Sequence, residues 1–568
     1  MPLRPLAASA NVGNEAIVEL ESWVAKGQLE HSDIVVFGMQ ESTYKAPHGH
    51  EPDAKDAVFD AKMAKDNAKA AEDFAKKKAA RGAAESDEEE SDDEDGKKGK
   101  SASHAAGVSN NNRHLLSEID KHVGSKFFLL DSVQRTQMRV LVYVRNSFKG
   151  KVSEVETGAE NTGFAGVAPN KGGQAVKFVV ENTSFVFVNS HLAAHETAKK
   201  CNKRNENVEE IFNGVRFGDQ RFDFCQFDHV FWFGDLNYRC EPPPSVVGDA
   251  RRAMVMKMVE ADDFAGLWKI DELQREVTAG RVYANFKTPP CEFKPTFKVA
   301  RKVETEYNPK RIPSYCDRIL FHSHKHLAAN LSCHAYTGCH AFSTSDHKPI
   351  IGLFSVLPTA KPALLFGAQA ALPQLKFFDL KARDLTAMDE GITLQRRAIV
   401  SKGGDMETAR GALTVGKAKS DPYVIAHCFP PDLRAAKVEV KTTHITQTLN
   451  PSWDKPLMLS LRASSFATLS QCSVKLSVFD YDVGNAHDLI GSVDFSFEEL
   501  EAAAAGANGG VFEFQRDIIG FGKVQGSLSG KIDVRIPTED GTFPREESLE
   551  DDEELAKAPP PKGCCSIS

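Results

Sequence analysis

Phe231-Trp232-Phe233-Gly234-Asp235-Leu236-Asn237-Tyr238-Arg239 is the stretch on which the reading of this chain turns. His229, Val230 and Phe231 close an apolar run of the kind that forms a strand buried on both faces. Gly234 permits a tight turn, and Asp235 and Asn237 follow with one residue between them. At the mouth of a strand, a carboxylate and an amide so spaced converge on one small ligand or a metal-bound oxyanion. Gly, Asp and Asn also favour turns for purely local reasons, so the stretch takes its meaning from its company.

That company is a series of five polar stretches, each read as lying just after an apolar run. They are Asn11-Val12-Gly13, Gln40-Glu41, Asn189-Ser190-His191, Tyr315-Cys316-Asp317-Arg318 and Ser345-Asp346-His347-Lys348-Pro349. Polar groups at strand ends on one edge of a sandwich form a natural site. Taken singly, each is as well explained by a satisfied core histidine or a capping aspartate. Strands are expected at 33–38, 139–144, 176–180, 185–188, 318–321 and 350–354. The strands at 176–180 and 185–188 are joined through a hairpin at 181–184. The strand leading to Asn11 reads as very short. Helical spacing recurs at 205–212 and 253–264. The first domain is therefore a mixed α/β unit over 1–357.

The chain has 568 residues, so two or more domains are expected. Hydrophobic residues make up 41% and charged residues 26%, ordinary for globular protein. Net charge is −9, with much of the acid in the runs 85–95 and 546–554; the balance argues against a nucleic-acid partner. Residues 46–112 read as a low-complexity insertion, Ala/Lys-rich and then acidic, with Ser86 and Ser91 among the acids as candidate phosphorylation sites and folded chain resuming at Leu115. Residues 358–373 hold three prolines among alanines and read as a linker. Strands are expected across 374–537, at 375–380, 422–426, 438–442, 457–461, 474–479 and 526–536, a β-sandwich pattern. The tail, 538–568, is acidic, then Pro-rich. The 11 cysteines form no Cys-x-x-Cys pair, and neither a leader pattern nor a membrane-spanning run is evident, so reduced thiols in the cytosol are expected.

Together the polar stretches of the first domain resemble the inositol polyphosphate 5-phosphatases. Residues 231–239 and Pro313-Ser314-Tyr315-Cys316-Asp317-Arg318-Ile319-Leu320 carry the family's two long signatures, and Asn170-Lys171-Gly172-Gly173 and Lys294-Pro295-Thr296-Phe297-Lys298 follow its other blocks in order. The resemblance covers about 8–357 outside the insertion. It implies the four-layer α/β sandwich of deoxyribonuclease I and the endonuclease-exonuclease-phosphatase type. It also implies roles. Glu41 resembles the family's Mg²⁺ ligand. Asp235 looks like the base that orients the attacking water, with Asn237 donating to a phosphoryl oxygen. His347 would contact the scissile phosphate, steadied by Asp317, while His191, Asn11 and Asp346 complete the cage. Lys298 and Arg311 match positions that bind the neighbouring 4-phosphate, where cations suit a substrate with adjacent phosphates. Two departures stand out: Ala10 replaces a Trp before Asn11, and Phe297 replaces a Tyr, removing a hydroxyl donor worth roughly 1 kcal/mol.

In the second domain, Asp389 and Asp421 lie on one set of loops and Asp480, Asp482 and Asp488 on another. Five carboxylates on two loops of one sandwich suit oxygen-only coordination of Ca²⁺. The context resembles a C2 domain, through Phe378-Asp379-Leu380-Lys381-Ala382, Ser420-Asp421-Pro422-Tyr423, Thr448-Leu449-Asn450-Pro451-Ser452-Trp453 and Asp488-Leu489-Ile490-Gly491. An insertion at 390–419 separates Asp389 from Asp421. It makes Asp405 a substitute ligand and carries Arg396, Arg397, Lys402, Arg410, Lys417 and Lys419, which suit an anionic membrane surface. The chain ends Cys564-Cys565-Ser566-Ile567-Ser568, where Cys565 opens a prenylation-like pattern and Cys564 offers a second lipidation site.

The resemblances imply Mg²⁺-dependent removal of the 5-phosphate from phosphatidylinositol 4,5-bisphosphate or related lipids. The expected place is the cytosolic face of membranes, in peripheral association. Three alternatives stand beside it: a soluble inositol polyphosphate 5-phosphatase, a nuclease on the same fold, and a calcium- and lipid-binding protein with a catalytically weak first domain. The retained Asp235, Asn237, His347, Asp317 and Glu41 disfavour the last, and the missing basic face disfavours the nuclease.

Overall fold

The apolar runs of the first domain are strands buried on both faces because each sheet is covered twice. In the computed structural model of the chain, the described residues are 1–43, 104–135, 137–162, 171–359, 372–388, 419–435, 438–462, 469, 472–482, 488–504 and 511–535, with side chains left aside at 104–113 and 503–504. The first strands are β1 (Pro5–Asn11), β2 (Ile34–Gln40), β3 (Phe127–Arg135), β4 (Met138–Arg145), β5 (Val152–Asn161) and β6 (Gly172–Val180). They are followed by β7 (Thr183–His191), β8 (His229–Asp235), β9 (Asp317–Ser323), β10 (Leu331–Gly338) and β11 (Ile350–Val356). One sheet runs β10-β11-β1-β2-β4-β3 and the other β5-β6-β7-β8-β9. Each has one parallel pair, β1 with β2 and β7 with β8, among antiparallel neighbours.

The inner faces meet in one core, where Val36, Val140 and Val142 join Val176, Phe187, Phe231 and Phe233. Burying each such side chain contributes about 1.5–3 kcal/mol. The outer faces are covered by helices. Leu115, Leu116 and Ile119 of His104–Val123 pack with Trp23, Phe37 and Tyr143 on one side. Phe212 of Ala198–Gly214 stacks on Phe224 and leans on Trp232 on the other, at 4.6 and 5.2 Å between ring centres. The result is the four-layer α/β sandwich expected from sequence.

This topology gathers the site. Parallel strands β1, β2, β7 and β8 end at Asn11, Gln40, His191 and Asp235. Their antiparallel neighbours β9 and β11 begin at Asp317 and just after His347. Asn11 pairs with Gln40, and His191, Asp235 and Asp317 lie abreast across three strands. Strand ends and strand starts therefore share one edge.

Four local expectations are corrected. The leading strand β1 is seven residues long and wholly buried, because it is the shared neighbour of β2 and β11. The helical spacing at 253–264 is not one helix: Asp249–Glu260 ends, Asp262 takes φ +49°, and Asp263 caps Phe264–Lys269 through Gly266 N at 2.9 Å. Helix His104–Val123 starts inside the supposed insertion, since extending a helix anchored by Leu115, Leu116 and Ile119 costs far less than starting one. The hairpin turns on Glu181 and Asn182 alone, with Glu181 at φ +56° and Val180 facing Thr183.

The second half contributes β12 (Gln374–Arg383), β13 (Pro422–Phe429), β14 (Val440–Lys441), β15 (Ser452–Trp453) and β16 (Leu457–Ser460). They are followed by β17 (Ser473–Asp480), β18 (Asp488–Ser496), β19 (Val511–Gly520) and β20 (Lys523–Arg535). They form one curled sheet, β14-β13-β17-β18-β19-β20-β12-β15, with β16 beside β12. Sequence reading missed β15, β18 and β19 and the helix Phe497–Ala504, whose polar residues mask the buried Leu489, Ile490, Val493 and Phe495. The chain divides into a unit of Met1–Lys361 with Asp482–Ser492 and Asp517–Gly526, and a unit of Pro362–Tyr481, Val493–Arg516 and Ser527–Ser568. Most of the insertion, nearly all of the linker, the 390–418 stretch, Asn170, Asp389, Asp405 and the tail with Cys564 and Cys565 lie outside the described residues.

Candidate active site

Asp235 is the centre of the sheet edge. Strand β8 delivers it through Gly234, whose φ of +142° and whose place over Ser190 O, 1.9 Å from where a Cβ would sit, admit glycine alone. The Asp235 carboxylate is 1% exposed. Its Oδ2 accepts from Asn11 Nδ2 at 3.0 Å and lies 3.2 Å from His191 Nε2 and 3.8 Å from His347 Nε2. Its Oδ1 accepts from Asn237 N at 3.1 Å. Burial would raise its pKa, but His347, His191 and Lys171 outweigh that and hold it well below the usual carboxylate range.

His347 is oriented from behind. Its Nδ1 meets Asp317 Oδ2 at 2.9 Å, and Thr296 Oγ1 donates to the same oxygen at 2.7 Å. The Phe297 ring packs on the imidazole at 4.6 Å, and the Arg239 guanidinium lies 4.4 Å over that ring. Burial pushes His347 down, yet Asp317 and Asp235 overcome it and raise it to about 9. Asp317 itself is pushed up by burial against the pull of His347. The flanking carboxylates of Asp317 and Asp235 favour the imidazolium, whose Nε2 faces Asp235.

Asn237, at φ +58°, is fixed by Arg239, whose Nη2 donates to its Oδ1 at 2.6 Å. The amide NH₂ is thereby defined; it donates to Leu192 O at 3.1 Å and retains a second hydrogen. Arg239 N in turn donates to Glu272 Oε2 at 3.1 Å, and Arg204 pairs with the same carboxylate. Asp346 contacts Lys298 Nζ at 3.3 Å and Arg301 Nη2 at 3.0 Å. Arg311 is held through its backbone, by Asn308 and Arg252.

Glu41 follows β2 at φ +47°, its side chain one-third exposed and its Oε1 3.9 Å from His191 Nε2. A single accessible carboxylate beside an open face suits Mg²⁺, which keeps water and substrate oxygens in most of its positions. Asp235, Asp317 and His347 also place one ligand atom each within 4.8 Å of the others. Both Asp235 oxygens and Asp317 Oδ2 already serve Asn11, Asn237, Thr296 and the imidazole, while Asp317 Oδ1 is buried without a hydrogen-bond partner; the accessible carboxylate is that of Glu41. Lys171 was quoted in a motif but given no role by sequence reading. Its ammonium contacts His191 Nε2, and burial lowers its pKa against the opposing pull of Asp235 and Glu41. Thr296 and Arg239 likewise sat unread inside quoted motifs; Arg301 carried no motif signal.

In the second half, Asp480 closes β17 and is 2% exposed, with Oδ1 accepting from Asp421 N at 2.5 Å. Asp421 Oδ1 accepts from Gln447 N at 2.6 Å. Met388, the last described residue before Asp389, donates from its N to Ser420 Oγ at 2.9 Å, so the chain leading to Asp389 runs beside that leading to Asp421. Asp482 is half-buried and Asp488 exposed at the start of β18. Among the described residues, the sheet-edge group is the one set of three His, Cys, Asp or Glu that converges within 4.8 Å.

Two stacked mixed sheets with a buried Asp–His–Asp group at their shared edge define the class: the chain belongs to the endonuclease/exonuclease/phosphatase family 2, matched over residues 8–353. Residues 375–509 match the C2 domain. The phosphatidylinositol 3,4,5-trisphosphate 5-phosphatase 2 of Sus scrofa is 32% identical over 237 residues, covering 39% of this chain and 18% of that protein. The type II inositol 1,4,5-trisphosphate 5-phosphatase of Mus musculus is 31% identical over 242 residues, covering 41% and 23%. The chain thus spans less than a quarter of the length of these curated relatives. Among solved structures, the inositol polyphosphate 5-phosphatase domain of SPsynaptojanin, in complex with inositol (1,4)-bisphosphate and calcium ion, aligns at 23% identity and TM-score 0.43, covering 63% of this chain and 84% of that one. Among the described residues, no helix is long and apolar enough to cross a membrane.

Proposed function

We propose that the chain removes the 5-phosphate from phosphoinositides, with phosphatidylinositol 4,5-bisphosphate and related lipids as substrates. The observation that carries this is a buried Asp235 ringed by Asn11, His191 and His347. Phosphoryl transfer asks mainly for positioning and charge stabilisation. His347, His191 and Lys171 hold Asp235 well below the usual carboxylate range, which makes it a weak base, so its main work is to orient the attacking water. His347 Nε2 donates to a phosphoryl oxygen as charge develops there. Asn237 Nδ2 donates its second hydrogen to another oxygen, and Asn11 keeps Asp235 aimed. A divalent cation held at Glu41 supplies Lewis-acid neutralisation of phosphoryl charge when bound. Lys298 faces the neighbouring phosphate, with Arg311 on the same loop.

The C2 match supports lipid over soluble substrate and a place at the cytosolic face of membranes. In this reading, Ca²⁺ held by Asp389, Asp421, Asp480, Asp482 and Asp488 switches on binding to anionic lipid. Farnesylation at Cys565, with palmitoylation at Cys564, adds an anchor; intact mass of the C-terminal peptide from eukaryotic cells reads it directly. Phosphate release is the decisive assay. The panel is vesicles of phosphatidylinositol 4,5-bisphosphate or 3,4,5-trisphosphate and soluble inositol 1,4,5-trisphosphate, each with Mg²⁺ or with EDTA. Release from the vesicles that EDTA abolishes is expected. No release from any of the three, or release indifferent to EDTA, overturns the proposal.

A further inference from the structure

Arg301 lies outside every motif the sequence offered, yet its guanidinium ties two catalytic segments together. Nη1 donates to Gly13 O at 2.8 Å, two residues beyond Asn11. Nη2 donates to Asp346 Oδ1 at 3.0 Å, next to His347. The backbone is shaped for it: Gly13 has φ +58°, and a Cβ there would sit 2.5 Å from Arg301 Nη2.

The second oxygen of Asp346 is engaged too, with Lys298 Nζ 3.3 Å from Oδ2. One carboxylate, 16% exposed, thus holds two cations that are 36% and 37% exposed. Glu15, 3.7 Å from Arg301 Nη1, is 59% exposed and weakened by solvent. Burial pushes Asp346 up, and His347, Arg301 and Lys298 together hold it below the usual carboxylate range. Lys298 is also the cation that faces a neighbouring phosphate. It can swing to that phosphate only if Asp346 stays compensated, because a largely buried carboxylate left without a partner is costly.

We propose that Arg301 is a positioning residue that keeps Asp346 compensated, so that Lys298 is released to a phosphate adjacent to the scissile one, and that this device sets the preference for vicinally phosphorylated substrates. The proposal deepens the 5-phosphatase reading and rests on it. Without Arg301, Asp346 holds Lys298 for itself. Loss of Arg301 and loss of Lys298 then remove the same substrate contact.

The test compares inositol 1,4,5-trisphosphate with inositol 1,5-bisphosphate, using the full chain and reading kcat and KM separately. The wild type should favour the trisphosphate by about tenfold or more in kcat/KM, the scale of one charged hydrogen bond. Arg301→Met should erase most of that preference through KM of the trisphosphate. Arg301→Lys should keep most of it. Arg301→Met with Lys298→Met should be no worse than Lys298→Met alone, since both act on one contact. Gly13→Ala, which evicts the guanidinium, should lower the preference in the same way and carries the test if Arg301→Met does not fold. Equal losses on both substrates, with the ratio unchanged, would reduce Arg301 to a structural tie and overturn the proposal. Additive losses in the double variant overturn it by making Arg301 a direct phosphate ligand. A wild type that cleaves both substrates equally overturns it as well. A wild type that cleaves no inositol phosphate or phosphoinositide overturns the 5-phosphatase reading first, and this proposal with it.

Discussion

The edge of the stacked sheets and the acidic loops of the second half both carry carboxylates, but only the first group converges among the described residues. At the sheet edge, Asp235 and Asp317 face each other across neighbouring strands and are 1% and 0% exposed. Strand register sets their spacing, and Asn11 holds Asp235 Oδ2 while Thr296 and His347 hold Asp317 Oδ2. The site is preorganised, and the cost of burying its charges is offset within the fold. In the second half, Asp421 and Asp482 are half-buried and Asp488 is exposed. Asp480 and Asp421 use oxygens on backbone N–H groups. On the proposed Ca²⁺ reading, such a set is completed by its ion rather than by strand register. Catalysis needs the first arrangement, since reorganisation during the reaction costs rate; a switch needs the second, since only an incomplete site responds to its ion.

The contrast breaks most directly at Asp235. Asp235→Asn should lower turnover by at least about a hundredfold while the thermal midpoint stays close to wild type. Near-normal phosphate release would place the reaction's centre elsewhere. Removing the support of His347 has the next effect. Because the folded pKa of His347, about 9, lies above its ordinary value, its imidazolium contributes stability that is complete below about pH 6.5 and is lost as pH rises through about 9. Turnover should fall over the same rise. Asp317→Asn should move that alkaline limb down by about one unit or more and cut turnover by roughly tenfold at neutral pH. An unmoved limb would detach His347 from the profile.

The loop site is sharpened by Asp480→Asn with Asp482→Asn. Sedimentation with anionic liposomes should lose its Ca²⁺ dependence, a change of several fold in bound fraction, while phosphate release from soluble substrate stays near wild type. Binding that ignores chelator in the wild type would make the C2 match a calcium-independent one. The smallest effect is expected from Phe297→Tyr, which restores a hydroxyl beside Lys298. A gain of about 1 kcal/mol corresponds to roughly fivefold lower KM for a substrate with a neighbouring phosphate. No change would mean that the ring serves as the wedge between Arg239 and His347 alone.

The strands at 229–231 and 350–354 were legible in their apolar runs, because burial on both faces leaves that mark, whereas β3 was not read although 127–130 is as apolar. Strands β18 and β19 were not, since exposed acids and glycine interrupt their buried positions. The helical reading of 253–264 failed because Asp263 prefers to cap a new helix, a choice made by one side-chain hydrogen bond. In the site, Asp235, Asn237, Asp317, His347, Glu41, Asn11 and His191 were legible as polar residues at strand ends inside recognisable signatures.

By itself, the sequence determined the two kinds of domain, the carboxylate, amide and imidazole groups at the edge, and the order in which strands deliver them. Those features are local: each is written in a run of residues whose periodicity or motif survives without its neighbours. Only the tertiary structure decided that Phe297 is wedged between a guanidinium and an imidazole, and that Asp346 is shared by Lys298 and by an Arg301 that also reaches Gly13. These are contacts between segments far apart in the chain, Gly13 with Arg301 and Arg239 with Phe297. Their partners are chosen by how loops cross one sheet edge, and no single stretch of sequence carries that information.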